Sequence, residues 1–389
     1  MIEVARTYKI SVLPGDGIGR EVVPQAVRVL REVEEHVGGF QLDLHEFECG
    51  GEYYLRENRE WSIEAEEFTK KEADATLLGA IGANDADGKS VRLPDNNLAG
   101  YSIVIGLRIE LELYANVRPV ALLDGIWSPL KNKTSNDINM VIIRENTEGL
   151  YAPDSGKLTR DTDSEVAVDR RIITRKGSER VTRYAFELAT SGSGAPSDGV
   201  KRATCVDKSN LLAGCQLFRA SFDKVGAKYP GVERDYAYVD AFTQWIIKKP
   251  EFYNIVVAPN AFGDIITDLG AAIQGGLGVA PAGSIGDDKG VFEPVHGSAP
   301  KYYGQNIANP IAAILASGMM LDWLGTRNGN KKVGIAADIV RESVAEVLKE
   351  GKVRTRDLCV GDWSSVTPSS TEEVTTTIIK KVKTINSGG

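Results

Sequence analysis

Two aspartates, Asp264 and Asp268, stand four residues apart inside an apolar stretch. Residues at positions i and i+4 share one face of a helix, so their carboxylates lie close together and repel each other. A hard divalent cation such as Mg²⁺ or Mn²⁺ relieves this repulsion, because it accepts one or two protein carboxylates and keeps positions for substrate oxygens. The apolar flanks indicate the end of a buried strand and the start of a helix, where open α/β sheets bind ligands. The pair therefore predicts a metal site rather than a solvated helix face.

Three arginines lie at the margins of apolar runs: Arg108, Arg118 and Arg144. The planar guanidinium group binds a carboxylate through two parallel hydrogen bonds. Three such groups therefore suit a substrate with two or three carboxylates. Surface ion pairing is the alternative for each arginine taken alone, because exposed pairs are common and contribute little to stability.

A lysine and a further aspartate follow later in the chain. Lys208 comes directly after the strand-like run ATCVD, and Asp240 lies in the aromatic stretch 235–245. Near a metal ion, the pKa of a lysine falls and its amine can act as a base. An ordinary solvated charge is the alternative, and these residues alone leave both open.

Short strands and helices must position these groups. Tyr8–Leu13 is a β-rich run that ends in the Gly-rich turn 14–19, and Glu21–Val37 has the apolar spacing of a helix. The glycine spacing is G-x-G-x-G rather than G-x-G-x-x-G, so the turn predicts a tight βα connection lining a cleft and not a dinucleotide fingerprint. A second buried strand is predicted at Ala75–Gly82. Three C-terminal helices are predicted to pack on the sheet: Ala312–Leu324, Ile335–Leu348 and Glu372–Val382.

The composition is that of a globular α/β protein. With 389 residues, 42% hydrophobic and 26% charged, the chain predicts two domains. Its net charge of −8 argues against nucleic acid as a partner. The N-terminal sequence lacks a signal-peptide pattern, no run approaches the roughly 18 apolar residues of a membrane span, and the four cysteines show no C-x-x-C spacing. We therefore expect a cytoplasmic protein with reduced thiols and no membrane partner.

Six motifs occur in order along the chain. They are PGDGIG at 14–19, LRIELELYANVRP at 107–119, RENTEGLY at 144–151, VDKSN at 206–210, NAFGDIITD at 260–268 and EPVHGSAPKYYGQNIANP at 293–310. Through these residues the chain, from Leu13 to about Leu348, resembles the β-decarboxylating dehydrogenases, the family of isocitrate, 3-isopropylmalate, homoisocitrate and tartrate/D-malate dehydrogenases. The resemblance implies an isocitrate/isopropylmalate dehydrogenase-like, non-Rossmann α/β fold. Its central mixed sheet would be flanked by helices, with an active-site cleft between two domains.

The resemblance also implies how the chain is divided. A large cofactor-binding domain would be discontinuous, with residues 1–113 and 275–389. A small domain, residues 114–274, would hold the dimer interface. The polar segment at about 152–180 looks like an excursion or dimer arm that returns into an amphipathic helix. The expected assembly is a homodimer with shared active sites.

The same resemblance assigns chemical roles to the charged residues. The carboxylates of a small di- or tricarboxylate substrate would be clamped by three arginines: Arg108, Arg118 and Arg144. Mg²⁺ or Mn²⁺ would be held by three aspartates: Asp264, Asp268 and the partner subunit's Asp240. Lys208, also contributed by the partner, would help to remove the hydroxyl proton. Tyr151 would protonate the carbon that CO₂ leaves.

The loop at 296–309 bears on coenzyme choice. In the family this loop wraps the adenosine, which implies coenzyme binding by eight residues: His296, Gly297, Ser298, Ala299, Pro300, Lys301, Tyr302 and Asn309. NAD-dependent members typically carry an acid directly after Ala-Pro, where this chain has a lysine. An acid repels the 2′-phosphate of NADP, whereas a lysine attracts it. With Arg356 as a second cation, the resemblance favours NADP over NAD.

The segment before Arg108 would contact the group on C3 of the substrate and so select between substrates. Ser102 matches the serine with which isocitrate enzymes bind the third carboxylate. Val104 stands where those enzymes often have asparagine, and Ile103–Ile105 forms an apolar patch closer to an isopropyl pocket. We expect oxidative decarboxylation of isocitrate to 2-oxoglutarate with NADP first. The alternative is 3-isopropylmalate, followed by homoisocitrate and tartrate/D-malate.

Two competing interpretations predict no metal-dependent release of CO₂. A non-catalytic regulatory subunit of this family would have lost a metal-binding acid, the lysine or the tyrosine, and all are present here. A classical Rossmann protein would carry an acid about 20 residues after a G-x-G-x-x-G turn. The turn at 14–19 does not have that spacing, so an NAD(P)-dependent dehydrogenase is the preferred interpretation.

Overall fold

The computed structural model describes residues 6–151 and 169–386. Its contacts divide the chain into two compact units. The first unit comprises Met1–Leu111, Leu123–Pro129 and Gln274–Gly389, and the second comprises Glu112–Leu122 and Leu130–Ile273. The functions expected of two such parts, cofactor binding in one and dimerisation in the other, stay predictions.

Strands and helices alternate along much of the described chain. The strands are β1 (Arg6–Leu13), β2 (Phe40–Glu46), β3 (Ala75–Leu78), β4 (Ala115–Ala121), β5 (Asn139–Glu145), β6 (Arg202–Asp207), β7 (Glu233–Tyr238), β8 (Ile255–Ala258), β9 (Pro281–Ile285) and β10 (Gly290–Pro294). The α-helices are α1 (Gly19–Val37), α2 (Gly51–Glu57), α3 (Ile63–Glu67), α4 (Leu107–Glu110), α5 (Arg175–Ser191), α6 (Ala213–Gly226), α7 (Val239–Lys248), α8 (Asn260–Ile273), α9 (Ile311–Asn328), α10 (Lys331–Glu350) and α11 (Thr371–Val382).

The first unit contains a mixed sheet with the strand order β2-β1-β3-β10-β9. Neighbouring strands are parallel except for β9, which runs antiparallel to β10. Helix α9 is apolar around most of its circumference, as expected of a helix buried on several sides, and it packs against β3, β9, β10, α1 and α10. The strand order differs from the 3-2-1-4-5-6 of the classical Rossmann fold.

The second unit contains a mixed sheet with the strand order β4-β5-β8-β6-β7. Only β4 is antiparallel to its neighbour, and the other pairs are parallel. Strands β6 and β8 are buried along their whole length, and β8 accordingly has a continuous apolar sequence, whereas β6 begins with the buried Arg202 and ends with the buried Asp207. Helix α8 packs against β4, β5 and β8, and α5 packs against α6, β5 and β8.

Most predicted elements of the described residues are confirmed, and the α/β class is confirmed in both units. The strand predicted at Ala75–Gly82 is shorter in the structure and ends at Leu78. The backbone after Leu78 binds the Gly-rich turn instead of a neighbouring strand, because the Ala80 carbonyl accepts a hydrogen bond from Asp16 N at 2.8 Å. Of the arm predicted at about 152–180, residues 152–168 lie outside the described residues. The amphipathic helix after it begins at Arg175. Within the described ranges, no helix is both long and apolar enough to cross a membrane.

Candidate functional site

Both predicted metal-binding aspartates lie on α8 of the second unit. The chain leaves β8 at Ala258 and enters the helix at Asn260. The face with Ile266, Gly270 and Ala271 is buried. Asp264 and Asp268, one turn apart, lie on the accessible part of the helix, with side chains 37% and 66% exposed. The two carboxylates are therefore side by side and accessible, as a cation site requires.

Arg144, at the end of β5, is the buried partner of Asp264. Its side chain is only 4% exposed, and its Nη1 group donates to the Asp264 carboxylate. Nε and Nη2 donate to Asn260 Oδ1 at 3.0 and 2.8 Å. Gly263 makes this contact possible, because a Cβ atom there would lie 2.7 Å from Arg144 Cβ. Helix α8 thus approaches β5 closely enough for Arg144 to bind both Asn260 and Asp264 of the helix.

Arg118, on the neighbouring strand β4, approaches the same helix. Its Nη1 group donates to Thr267 Oγ1 at 2.8 Å and lies 3.4 Å from Asp268 Oδ1. Its Nη2 atom lies 3.8 Å from Asp264 Oδ1. The structure therefore brings two of the three predicted substrate arginines together with both predicted metal aspartates. Charge-assisted contacts of this kind can hold carboxylates of a ligand or carboxylates of the protein.

Tyr151 borders this cluster. Its side chain is accessible, and the Arg144 guanidinium lies 5.6 Å from the centroid of its ring. Partial burial, and then the negative charge of Asp264, raise the pKa of Tyr151 against the opposing effect of Arg144. The phenol consequently stays protonated at neutral pH, as a proton donor must.

Lys208 and Asp240 form a separate pair in the same unit. Lys208 follows β6, Asp240 lies in the first turn of α7, and Lys208 Nζ is 2.5 Å from Asp240 Oδ1. This hydrogen bond lowers the pKa of the Asp240 carboxyl. Across residues 6–151 and 169–386, no three His, Cys, Asp or Glu side chains come together as a metal-binding group. Asp240 of this chain thus does not join the α8 aspartates in a cluster of three.

The three substrate residues predicted before β4 lie in the first unit. Arg108 belongs to α4, and its Nη2 atom is 3.8 Å from Glu293 Oε1. Val104 and its neighbour Ile105 line a cavity of about 360 Å³ together with Tyr101. Ser102 does not line that cavity, and its buried hydroxyl has no hydrogen-bond partner within the described structure. Two members of the predicted apolar patch, Val104 and Ile105, therefore contribute to the wall of this cavity, whereas Ile103 and Ser102 do not.

A second cavity of the first unit, of about 500 Å³, includes part of the predicted coenzyme loop. Four of the eight predicted coenzyme residues line it: His296, Ala299, Tyr302 and Asn309. The other four, Gly297, Ser298, Pro300 and Lys301, belong to the same loop without lining the cavity. The loop is fixed to the Gly-rich turn, because Ile18 N donates to the Ser298 carbonyl at 2.8 Å. A Cβ atom at Gly17 would lie 2.2 Å from that oxygen, so the turn needs glycine.

His296 is partly buried on the wall of this cavity. Burial lowers the pKa of its imidazole, which is therefore neutral at neutral pH. Nδ1 lies 3.0 Å from the Gly297 carbonyl, and the buried Nε2 has no hydrogen-bond partner within the described structure. A nitrogen in this condition is suited to binding a polar group of a ligand.

Further wall residues of the coenzyme cavity were not predicted from sequence: Ile18, Gly278, Ile307, Ala308 and Asp357. Asp357 accepts hydrogen bonds from Asn309 Nδ2 at 2.9 Å and Thr355 Oγ1 at 2.5 Å. Arg356, noted in the sequence as a second cation, also lines the wall. Ile18 belongs to the motif at 14–19, and Ile307 and Ala308 belong to the motif at 293–310. Gly278 and Asp357 lie outside all six motifs, so only the tertiary structure joins these two to the cavity.

Comparison with known proteins agrees with the motifs. The family described as isocitrate/isopropylmalate dehydrogenase matches residues 9–378. A 3-isopropylmalate dehydrogenase of Bifidobacterium longum is 39% identical over 350 residues, 89% of this chain and 96% of that protein. A D-malate dehydrogenase [decarboxylating] of Escherichia coli is 37% identical over 355 residues, 89% of this chain and 92% of that protein.

Solved structures give the same result. The crystal structure of isocitrate dehydrogenase from Methylococcus capsulatus aligns with a TM-score of 0.80 at 32% identity, over 97% of this chain and 99% of that one. A β-decarboxylating dehydrogenase from Thermococcus kodakarensis in its apo form aligns with a TM-score of 0.73 at 34% identity, over 97% and 96% of the two chains. The chain is an oxidoreductase that belongs to the isocitrate/isopropylmalate dehydrogenase family.

Proposed function

We propose that this protein catalyses the metal-dependent oxidative decarboxylation of a 2-hydroxy acid that carries a carboxylate and an apolar group on C3. The first candidate is 3-isopropylmalate, with NADP⁺ as hydride acceptor. The observation that carries this choice is the apolar cavity wall at Val104 and Ile105, with the Ser102 hydroxyl enclosed away from it. Relatives named 3-isopropylmalate dehydrogenase support it.

The reaction needs groups that match the side chains of the second unit. Loss of hydride from C2 to the nicotinamide gives a β-keto acid, which then loses its C3 carboxylate as CO₂. A base must take the hydroxyl proton at the start, and an acid must protonate C3 at the end. We assign the base function to Lys208 and the acid function to Tyr151, whose pKa is raised.

The aspartates of α8 fit a divalent cation. Two accessible carboxylates one turn apart supply the hard oxygen ligands that Mg²⁺ and Mn²⁺ prefer, and leave positions for substrate oxygens. When bound, such a cation would act as a Lewis acid toward the C2 oxygen and stabilise the negative charge that develops as CO₂ leaves. Asp264 and Asp268 would hold it. Arg118 and Arg144, which now bind these aspartates, would then be available to the carboxylates of the substrate.

The proposed active form is a homodimer. Lys208 and Asp240 form a pair with each other, and Asp240 does not join the α8 aspartates of its own chain. A second copy can supply both residues to the cluster on α8, which completes the base and the third carboxylate. The proposed setting is the cytoplasm, where the free thiols of Cys49, Cys205, Cys215 and Cys359 stay reduced.

Initial rates test the proposal directly. Purified protein with Mg²⁺ is offered 3-isopropylmalate, isocitrate, homoisocitrate, D-malate and tartrate in parallel, each with NADP⁺ and with NAD⁺. We expect the highest kcat/KM with 3-isopropylmalate. Isocitrate is the second candidate, because the unpartnered Ser102 hydroxyl could bind a third carboxylate after a rotamer change. Failure of all five substrates would contradict the proposed function.

Replacing Val104 with asparagine is expected to change substrate preference. The amide would stand on the apolar wall of the cavity, so kcat/KM for 3-isopropylmalate should fall by at least about tenfold, and the isocitrate to 3-isopropylmalate ratio should rise. The measurement is the ratio of kcat/KM values in one protein preparation. Val104→Leu is the matched control, because it stays apolar and should keep the original order of substrates. An unchanged ratio in Val104→Asn would show that this wall does not contact the substrate.

Coenzyme choice is expected to depend on Lys301. Its ammonium group lies 4.7 Å from the ring centroid of Tyr302, which lines the coenzyme cavity together with Arg356. In Lys301→Asp, repulsion of the 2′-phosphate should raise KM for NADP⁺ by about tenfold or more and leave KM for NAD⁺ equal or lower. Lys228→Asp, a charge reversal at an exposed site of the second unit, should change neither value. A preference of the unaltered protein for NAD⁺ would refute the assignment.

A further inference from the structure

The segment Tyr101–Glu110 is helical but not uniformly α-helical. Residues Ser102–Gly106 form a π-helical turn, and α4 continues from Leu107. Such turns are rare, and they occur frequently at functional sites. This one carries Val104 and Ile105, which face the apolar cavity, and it precedes Arg108. Because this geometry is unusual for a helix, contacts with the surroundings must select it.

Glu60 binds the start of this segment. Its carboxylate accepts hydrogen bonds from the backbone N–H of Gly100 and from Ser102 N, which lies 3.2 Å from Oε2. The first N–H groups of a helix have no partner inside the helix, and a negative charge near them is favourable. Glu60 is itself held in place, since its carbonyl accepts a hydrogen bond from Gly50 N at 2.7 Å. The carboxylate therefore fixes where the segment begins.

Lys70 binds the other end. Its Nζ atom lies 2.6 Å from Glu110 Oε2 and 2.6 Å from Glu66 Oε1, and its side chain is mostly buried. It also lies 5.7 Å from the ring centroid of the buried Trp61. The Lys70 side chain is 19% exposed, whereas that of Glu110 is 50% exposed, so the lysine is the fixed member of this pair. The segment is thus held at both ends from the stretch 60–70.

We propose that Glu60 and Lys70 are positioning residues that set substrate choice by fixing the π turn and, through it, the direction of Val104 and Ile105. This rests on the proposed function, in which these two side chains contact the C3 group. Neither Glu60 nor Lys70 lines the apolar cavity. They act through the backbone of the segment, so their removal should affect a substrate with a C3 group more than one without it.

The kinetic test compares 3-isopropylmalate with D-malate, which has no C3 substituent. In Glu60→Ala and in Lys70→Met, the ratio of the two kcat/KM values should fall by about tenfold, mainly through the 3-isopropylmalate value. Glu60→Gln should recover part of the ratio, because an amide oxygen still accepts hydrogen bonds. The control is Glu67→Gln, which removes an exposed pair with Lys71 from the same stretch and should leave the ratio unchanged. Equal losses with both substrates would overturn the proposal.

Amide hydrogen exchange tests the same inference without relying on activity. We expect peptides covering 98–111 to exchange about tenfold faster or more in Glu60→Ala and Lys70→Met than in the unaltered protein and in Glu67→Gln. Unchanged exchange in both variants would overturn the inference. If the unaltered protein turned over none of the offered substrates, the proposed function would fail, whereas the exchange rates would still show whether the two residues fix the segment.

Discussion

Asp264→Asn is expected to lower kcat by about a thousandfold or more, with 3-isopropylmalate or any other substrate that the unaltered protein accepts. The substitution removes one of the two carboxylates proposed to hold the cation. It also removes the negative charge that Arg144 binds. The measurements are initial rates and calorimetric titration with Mn²⁺, and both should show the loss. Wild-type activity in this variant would refute the metal assignment.

Folding must be separated from function in this variant, because the Arg144 side chain is buried. Two of its donor groups still have Asn260 Oδ1 as acceptor after the substitution, so the contact of β5 with α8 should persist. Asp338→Asn is a suitable control, since it removes an exposed carboxylate of α10 that pairs with Arg341. We expect both variants to unfold cooperatively, and only Asp264→Asn to lose activity and Mn²⁺ binding.

Tyr151→Phe is expected to lower kcat by about a hundredfold or more, the usual contribution of a positioned acid. The phenol is the proposed donor to C3, and burial together with Asp264 keeps its pKa above the ordinary value of 10.0. The acid should therefore stay protonated up to about pH 10, so removal of the hydroxyl, and not a change of pH, is the informative test. Incorporation of deuterium at C3 of the product in D₂O should slow in parallel with turnover.

The control for this variant is Tyr229→Phe. That hydroxyl lies 3.4 Å from Glu187 Oε1 at the surface of the second unit, and its ring stacks on Phe186. Its removal should leave kcat unchanged. If Tyr151→Phe retained full kcat while KM rose, the tyrosine would be a substrate-binding residue, and another group would have to supply the proton.

The chemistry of α8 was predictable from sequence to a useful degree. The spacing of Asp264 and Asp268 and the apolar run before them predict two carboxylates on one helix after a strand, and the structure has them there. The partners of these carboxylates were not predictable. Arg118 and Arg144 reach α8 because β4, β5 and β8 are adjacent in the sheet in that order. The β5–β8 pairing and the contacts of both arginines with α8 join residues more than 100 positions apart.

The residues that contact the C3 group of the substrate were harder to predict, because their orientation depends on the local backbone geometry. From sequence alone, Ser102 and Val104 are equally good candidates for contacting the C3 group, since both lie shortly before Arg108. The π turn then decides which side chains reach the cavity, and the sequence SIVIG carries no signal for that turn. The coenzyme cavity is similar, because Gly278 and Asp357 join the predicted loop only through tertiary packing.

The close approach of Gly263 to Arg144 has a consequence for protein engineering. Strand β5 and helix α8 are shaped for each other at this point, since a Cβ atom on the helix would collide with the arginine side chain. In a chimaera with a relative, the two elements should be exchanged together, even though more than 100 residues separate them in the chain. Libraries that randomise position 263 alone are expected to contain mainly destabilised members, so diversity on α8 is better directed to exposed positions such as Ile265 that leave Asp264 and Asp268 in place.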